Sequence, residues 1–217
     1  MRDQVIQQIE QEKIIAIVRG VGPEQCMKVA DALYAGGIRL MEITYNQKDP
    51  ASFQATADAI SAITKAYEGR MLVGAGTVTT TELVELTAKA GGKFIISPDT
   101  NADVIRRTRE LDMVSMPGAL TPTEIMTAHR AGADYVKLFP AGDLGPNYVK
   151  AVRAPISHVK MTAVGGINEK NMADFLKAGV CGFGIGGNLA NKAWIEAGEF
   201  DKITETARAM VAVVKEA

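Results

Sequence analysis

The sequence predicts an α/β protein built as an eight-fold β/α (TIM) barrel with a short N-terminal helix, in one domain spanning residues 1–217. Eight short apolar runs rich in β-branched residues recur along the chain, each with a Gly or Pro turn and a helical stretch nearby. The runs are almost continuously apolar, which is typical of parallel strands covered on both faces. The length of 217 residues also suits a compact barrel of this type.

The predicted strands are bounded by turn residues and follow one another at similar intervals. In chain order they cover Ile14–Gly20, Ile38–Asn46, Met71–Thr77, Lys93–Pro98, Met113–Gly118, Tyr135–Pro140, His158–Gly166 and Gly182–Gly187.

Helix start and stop signals separate these strands. Gly22-Pro23 places a proline at a first helical position, and Thr79–Glu82 and Thr121–Glu124 fit capping boxes. Residues 3–11 are predicted to form a short helix that closes the barrel floor, and residues 200–216 a closing helix. Helix ends are marked by the pairs Ala35-Gly36, Ala90-Gly91, Ala131-Gly132 and Ala178-Gly179.

An open, doubly wound sheet is the alternative fold. It is less favoured because neither end of the strand series resembles a sheet edge, and because no G-x-G-x-x-G follows the first strand.

Composition limits the partners and the compartment. The net charge is −1 and there is no dense basic run, which argues against nucleic acid or an anionic membrane as a partner. Cys26 and Cys181 lie far apart with no CxxC neighbour, which favours free thiols and a cytoplasmic location. No apolar run approaches membrane-spanning length, and the first ten residues do not resemble a signal peptide.

Lys137 interrupts one of the most apolar strands, Tyr135–Pro140, close to its carboxyl end. Active sites of β/α barrels lie at the carboxyl ends of the strands, so Lys137 is placed to reach the catalytic mouth, whereas Lys13, Lys93 and Lys160 stand near strand starts at the floor. Glu42 is the other ionisable residue late in an apolar strand. Because alternate strands share layers of inward side chains, the two residues can face one lumen; a purely structural ion pair is the alternative.

An amine enclosed by apolar side chains has a lowered pKa, and its neutral form can make a Schiff base with a ketone. A partly desolvated glutamate suits proton transfer. The pair therefore predicts carbonyl chemistry through an iminium intermediate. Two rival functions stay open: a phosphate-binding barrel that isomerises or epimerises a sugar phosphate, and a non-catalytic sugar-acid-binding protein.

Glycines follow the last two predicted strands, in V-G-G-I-N (Val164–Asn168) and G-I-G-G-N (Gly184–Asn188). Loops at these places of a barrel commonly hold a phosphate on backbone N–H groups, although glycines also make plain turns. Arg19, at the end of the first strand, could bind a carboxylate or form a surface ion pair. Thr44 and Thr77 could donate hydrogen bonds at the mouth, or they could simply be strand residues. His129 and His158 lack nearby metal-ligand partners in the sequence, so no metal is expected.

Taken in order along nearly the whole chain, the motifs resemble those of the class I 2-keto-3-deoxy-6-phosphogluconate (KDPG) and 4-hydroxy-2-oxoglutarate (KHG) aldolases. The matching segments are I-V-R-G, G-G-I-R-L-M-E-I-T, V-G-A-G-T-V, F-I-I-S-P, M-P-G-A-L-T-P-T-E, V-K-L-F-P-A, V-G-G-I-N and G-I-G-G.

The resemblance implies a Schiff-base aldolase of carbohydrate metabolism, of the Entner–Doudoroff type, that releases pyruvate and an aldehyde without a cofactor beyond its own lysine. It also implies a homotrimer acting on a small keto acid. The implied catalytic residues are Lys137, as the Schiff-base lysine, and Glu42, as the acid–base. The implied substrate-binding residues are Arg19, Thr44, Thr77, Ser97, Pro98 and Phe139, and the implied phosphate-binding residues are Gly165, Gly166, Gly186, Gly187 and Asn188.

Three departures from the family pattern bear on the substrate. Asn46 stands where well-known members carry an arginine associated with the substrate carboxylate, Ala163-Val164 replaces a usual proline-threonine, and Asn188 stands where serine is common. The galactonate-derived branch also carries asparagine at the first of these positions, and its sequence is similar to G-P-N-Y-V-K-A (Gly145–Ala151).

Overall fold

Parallel strands form a ring at the centre of the protein in the computed structural model, which describes residues 1–216. The strands are β1 (Ile14–Val18), β2 (Leu40–Thr44), β3 (Leu72–Gly76), β4 (Phe94–Ile96), β5 (Val114–Met116), β6 (Gly118–Ala119), β7 (Val136–Leu138), β8 (Met161–Val164) and β9 (Gly182–Ile185). All but β6 lie within a predicted strand and are shorter than it, because the apolar pattern runs on into the turns; β6 extends to Ala119, one residue beyond the predicted fifth strand.

Pro117 divides the predicted fifth strand into β5 and β6. Because proline has no N–H to give to a ladder, regular pairing stops at this residue. β5 pairs with β4 and β6 pairs with β7, so the chain passing through Pro117 joins the two ends of the strand series. The first and last strands, β1 and β9, pair in parallel. The barrel prediction is confirmed, and the open-sheet alternative is wrong.

Helices surround the ring and close one end of it. They are α1 (Arg2–Glu12), α2 (Pro23–Ala35), α3 (Phe53–Ala66), α4 (Thr81–Lys89), α5 (Ala102–Glu110), α6 (Pro122–Arg130), α7 (Ala141–Arg153), α8 (Met172–Ala178), α9 (Lys192–Ala197) and α10 (Phe200–Glu216), with a 3-10 turn at Pro50–Ser52.

Two of the predicted helix N-terminal signals are confirmed by the structure, and one is not. Pro23 opens α2 behind the N-cap Gly22, and Thr121 forms the expected capping box with Glu124. The box predicted at Thr79–Glu82 is wrong. The N-cap of α4 is Thr80, whose side chain accepts a hydrogen bond from the N–H of Leu83, so a leucine rather than a glutamate stands at the third helical position.

The floor of the barrel is closed by α1, as predicted. Val5 and Ile9 of this helix pack against inward residues of the strands, among them Leu40 and Phe94. Floor lysines lie beside the same helix: Lys160 Nζ is 2.6 Å from Glu10 Oε1. With one end of the ring filled, a ligand can approach the lumen only from the carboxyl ends of the strands.

Among residues 1–216, none of the helices is both long enough and apolar enough to cross a membrane.

Candidate active site

Lys137 points into the barrel because its neighbours point out of it. Val136 and Leu138 belong to the apolar layer between the strands and the helices, so the residue between them faces the lumen. Only 7% of the Lys137 surface is exposed. Its Nζ atom lies 5.0 Å from the centre of the Phe139 ring, at the mouth of the barrel.

Glu42 occupies the same position on β2. Met41 and Ile43 pack outward, and Glu42, with 1% of its surface exposed, faces inward. Lys137 pairs with Thr162 of β8, and Thr162 pairs with Gly182 of β9. Extending the registers of the β9–β1 and β1–β2 pairs leads from Gly182 to Ile38, just before β2. Because the strands of such a barrel are tilted, residues at the same height along the barrel axis shift by about one position from each strand to the next. Over the four steps from β7 to β2, the residue at the height of Lys137 is therefore Glu42 and not Ile38. The two ionisable groups are therefore level with each other on opposite walls.

The electrostatic environment favours the neutral form of both groups. Burial raises the pKa of Glu42, and the nearby Lys137 and Arg19 charges partly oppose this rise. Burial lowers the pKa of Lys137 below its ordinary value of 10.5, with Glu42 opposing and Arg19 adding to the shift. Among the described side chains, Lys137 has no carboxylate partner within 4.0 Å, and Glu42 Oε2 has no hydrogen-bond partner. Burial thus shifts both pKa values toward the neutral forms, and the two groups form no ion pair within 4.0 Å.

A cavity of about 390 Å³ is lined by Lys137 but not by Glu42. It brings together most of the predicted site residues, namely Arg19, Thr77, Pro98, Lys137, Phe139, Gly165, Gly166, Gly186, Gly187 and Asn188. Phe139 has 41% of its surface exposed and forms an apolar rim next to the amine.

Arg19 and Thr77 form the polar side of this cavity. An Arg19 guanidinium N–H donates to Thr77 Oγ1 over 3.2 Å. Thr77 has a φ of 57°, in the left-handed region that non-glycine residues rarely adopt, and Gln47 Nε2 donates to its carbonyl over 2.7 Å. The loop after β3 is thereby fixed, with a guanidinium and a hydroxyl next to each other, as a carboxylate site requires.

The two glycine loops meet on the wall of the same cavity. Gly165 and Gly166 have φ values of 89° and 71°, which a side chain would disfavour. Asn188 Nδ2 donates to the carbonyl of Ile167 over 2.8 Å and so ties the loop after β9 to the loop after β8. These loops line the same cavity as Arg19 and Lys137, and the backbone N–H groups of such glycine loops suit an anion.

Besides Glu42, three residues singled out in the sequence do not line this cavity. Ser97 is buried and donates to the carbonyl of Val78 over 2.6 Å, so its hydroxyl shapes the turn that carries Pro98. Thr44 and Asn46 border a second cavity of about 230 Å³ beside the start of α2. Asn46 Oδ1 accepts a hydrogen bond from the backbone N–H of Lys48.

The structure adds residues that the sequence analysis did not select. Ile17, Val164 and Gly184 line the main cavity, and Gly76 lies against the Glu42 side chain. A glycine inside an apolar strand is a recognisable signal of close approach, but the sequence does not show which side chain approaches it.

In the part of the chain that the structure describes, no group of three or more His, Cys, Asp or Glu side chains is arranged to hold a metal ion. His129 and His158 contact each other edge to face, with ring centres 5.1 Å apart.

Comparison with known proteins gives a consistent picture. The profile of the KDPG and KHG aldolase family matches residues 5–206. A Rhizobium meliloti (strain 1021) protein described as a probable 2-dehydro-3-deoxy-6-phosphogalactonate aldolase is 41% identical over 177 residues, which cover 81% of each chain. The Escherichia coli (strain K12) 2-dehydro-3-deoxy-6-phosphogalactonate aldolase is 37% identical over 81% of this chain and 83% of its own.

A solved structure of KDPG aldolase from Legionella pneumophila, with pyruvate captured as a covalent carbinolamine intermediate, superposes with a TM-score of 0.82. The two chains are 27% identical, and the superposition covers 92% of this chain and 94% of the other.

Proposed function

This chain belongs to the KDPG and KHG aldolase family, and from that premise we propose that it cleaves a 6-phosphorylated 2-keto-3-deoxy sugar acid to pyruvate and glyceraldehyde 3-phosphate. The observation that carries the proposal is the pair of buried ionisable groups, Lys137 and Glu42, level with each other inside the closed ring. Cleavage of 4-hydroxy-2-oxoglutarate to pyruvate and glyoxylate is the second candidate reaction, from the same family.

Lys137 begins the reaction as a neutral amine. Its nitrogen attacks the C2 carbonyl carbon of the substrate to give a carbinolamine, and loss of water from this adduct gives an iminium ion. Burial makes the attack possible near neutral pH because it lowers the pKa of the ammonium group. The positively charged nitrogen then serves as the electron sink, so we propose that no metal ion takes part.

Glu42 moves the protons. In its carboxylate form it takes the proton of the C4 hydroxyl, the C3–C4 bond breaks, and its electron pair passes through C3 and C2 to the iminium nitrogen. The aldehyde leaves and an enamine remains. Protonation at C3 and addition of water at C2 then release pyruvate and restore the amine.

Arg19 and Thr77 are proposed to hold the pyruvyl carboxylate, because their donors already lie together over 3.2 Å at the cavity wall. Phe139 and Pro98 flank the pyruvyl end. Thr44 and Ser97 are proposed to act from the wall behind it, since neither lines the main cavity.

The phosphate is proposed to bind at the opposite end of the cavity, against Gly165, Gly166, Gly186, Gly187 and the Asn188 amide. We propose that the N–H dipoles of these two loops hold the anion.

The galactonate-derived substrate is proposed as the preferred epimer. Two observations support this choice: the similarity to 2-dehydro-3-deoxy-6-phosphogalactonate aldolases, and Asn46, which borders the second cavity where an arginine would otherwise stand. We also propose that the chain is a single domain that acts as a cytoplasmic homotrimer.

Borohydride reduction in the presence of pyruvate tests the reaction class. We expect a covalent adduct of one pyruvate per chain on Lys137, found by mass spectrometry of peptides, and no adduct without pyruvate. Lys137→Arg keeps a cation and should give neither adduct nor turnover. If it retained activity, or if the label mapped elsewhere, the assignment of Lys137 would be wrong.

A pyruvate-release assay with both phosphorylated epimers, their unphosphorylated forms and 4-hydroxy-2-oxoglutarate tests the substrate. We expect the highest kcat/KM for the phosphogalactonate-type substrate. Proton exchange without pyruvate release would favour the isomerase alternative instead.

A further inference from the structure

Glu42 does not lie free in the lumen but rests on the backbone of one glycine. A Cβ atom built on Gly76 would stand 1.5 Å from Glu42 Oε1, 2.3 Å from Cδ and 2.7 Å from Cγ. All three distances are below 3.0 Å, a range that real Cβ atoms essentially never show. The end of the Glu42 side chain therefore occupies the volume that any side chain at position 76 would need.

The need for glycine here is a matter of space and not of backbone freedom. The φ of Gly76 lies outside the left-handed region, so alanine could adopt the same backbone conformation. Gly76 also cannot retreat easily: its carbonyl accepts the N–H of Tyr45 over 3.0 Å, and on the other side it is paired with Ile96 of β4. A methyl group at this position would have to be accommodated by Glu42.

The position of Gly76 explains how Glu42 reaches the mouth. The residue that pairs with Glu42 on β3 is Gly74, and Gly76 lies two residues nearer the carboxyl end. The side chain thus runs toward the mouth along β3, on the wall opposite Lys137. Thr77, which bonds Arg19, is the next residue in the chain.

We propose that Gly76 is a positioning residue for the acid–base step. Because it has no side chain, the Glu42 carboxylate can pack against β3, away from direct pairing with Lys137 and in line with the substrate. This inference rests on the acid–base role proposed for Glu42. The charged groups that face Glu42 are Lys137 and Arg19. A carboxylate displaced from β3 moves into the space between them and loses its alignment with the C4 hydroxyl.

The test is a double-mutant cycle between the two positions, with pyruvate release and pyruvate trapping measured side by side. We expect Gly76→Ala to lower kcat by about 100-fold, the size of a typical acid–base contribution, while borohydride still attaches pyruvate to Lys137. In the Glu42→Ala background, where no side-chain atom beyond Cβ is left to meet the methyl group, the same change should lower the residual kcat by about threefold or less.

Gly74→Ala is the matched control. It is also an inward glycine of β3, but the nearest atoms to its added Cβ belong to Phe94: the ring at 2.3 Å and the backbone carbonyl oxygen at 2.5 Å. It should lower the melting temperature and leave kcat per folded enzyme within about threefold of the wild-type value, because the carboxylate is untouched.

Three results would overturn the role of Gly76: a Gly76→Ala enzyme with wild-type kcat, an equal loss in the wild-type and Glu42→Ala backgrounds, or a double variant that does not fold when Glu42→Ala alone does. Absence of pyruvate release from the wild-type enzyme is a different result, since it would overturn the proposed function itself.

Discussion

At the scale of single residues, burial decides the chemistry of this site. Glu42 illustrates the energetic consequence, because its pKa is raised above its ordinary value of 4.5 by loss of water. Between that value and the raised one, the folded protein holds a proton that the unfolded chain has lost. The free energy of unfolding should therefore fall as pH rises from about 4.5 through the raised pKa.

Glu42→Gln should remove this part of the pH dependence, since an amide does not titrate. We expect the variant to gain stability relative to the wild type as pH rises from 5 to 8. Urea unfolding of both proteins at several pH values is the measurement. A constant difference between the two curves would show that Glu42 does not titrate in this window.

Thr162 is a second residue whose environment makes a prediction. It pairs with Lys137 across the β7–β8 ladder, is buried, and its hydroxyl is without a partner among the described residues. An unsatisfied buried hydroxyl costs about 1–3 kcal/mol, so Thr162→Val should stabilise the fold.

Chemical denaturation of Thr162→Val should show an increase in the free energy of unfolding of about 1 kcal/mol. Thr162→Ser, which keeps the hydroxyl, is the control and should not gain stability. A clear loss of stability in the valine variant would mean that the hydroxyl is satisfied in solution.

At the scale of secondary-structure elements, the strands were predictable because each is an uninterrupted apolar run between turn residues. Their ends were not, because glycines and prolines that end a ladder can sit inside the same run. Pro117 is the clearest case: it lies within the predicted fifth strand and divides it. The cap of α4 differs for another reason, since Thr79 and Thr80 are chemically equivalent and only the path of the chain chooses between them.

The site residues can also be divided into those that the sequence predicts and those that it does not. Lys137 and Glu42 could be selected from the sequence because a charge inside an apolar strand is unusual. That Ser97 and Thr44 lie off the main cavity wall, and that Gly76 supports Glu42, depends on which side chains approach each other across strands. Sequence spacing along one strand does not contain that information.

The loops after β8 and β9 also make a prediction, because the Asn188 amide holds them together over 2.8 Å. Asn188→Ala should raise the KM for a phosphorylated substrate by about tenfold, the value of one lost hydrogen bond to a charged group. It should leave the KM for the unphosphorylated substrate nearly unchanged.

Steady-state kinetics with the two substrate forms checks this difference. Asn191→Ala, which removes the N-cap amide of α9 outside the main cavity, is a suitable control. Equal effects on both substrates would mean that the bridge supports the fold and not the phosphate end.

At the scale of the whole molecule, the association state is the main expectation that follows from the family. We expect light scattering coupled to size exclusion to give about 69 kDa, three times the 23.1 kDa of one chain. A mass near that of one chain at micromolar concentration would contradict the proposed homotrimer.

The division of the fifth strand at Pro117 affects how the ring is closed beside Lys137. Its two pieces hold three and two residues, and each follows a regular ladder with only one neighbour. Main-chain hydrogen bonds outside the regular ladders also cross this place: the N–H of Lys137 donates to the carbonyl of Pro117 over 2.9 Å, and the N–H of Tyr135 donates to the carbonyl of Ser115 over 3.2 Å. The main chain that carries the reactive amine is therefore fixed to the residue at which the fifth strand is divided.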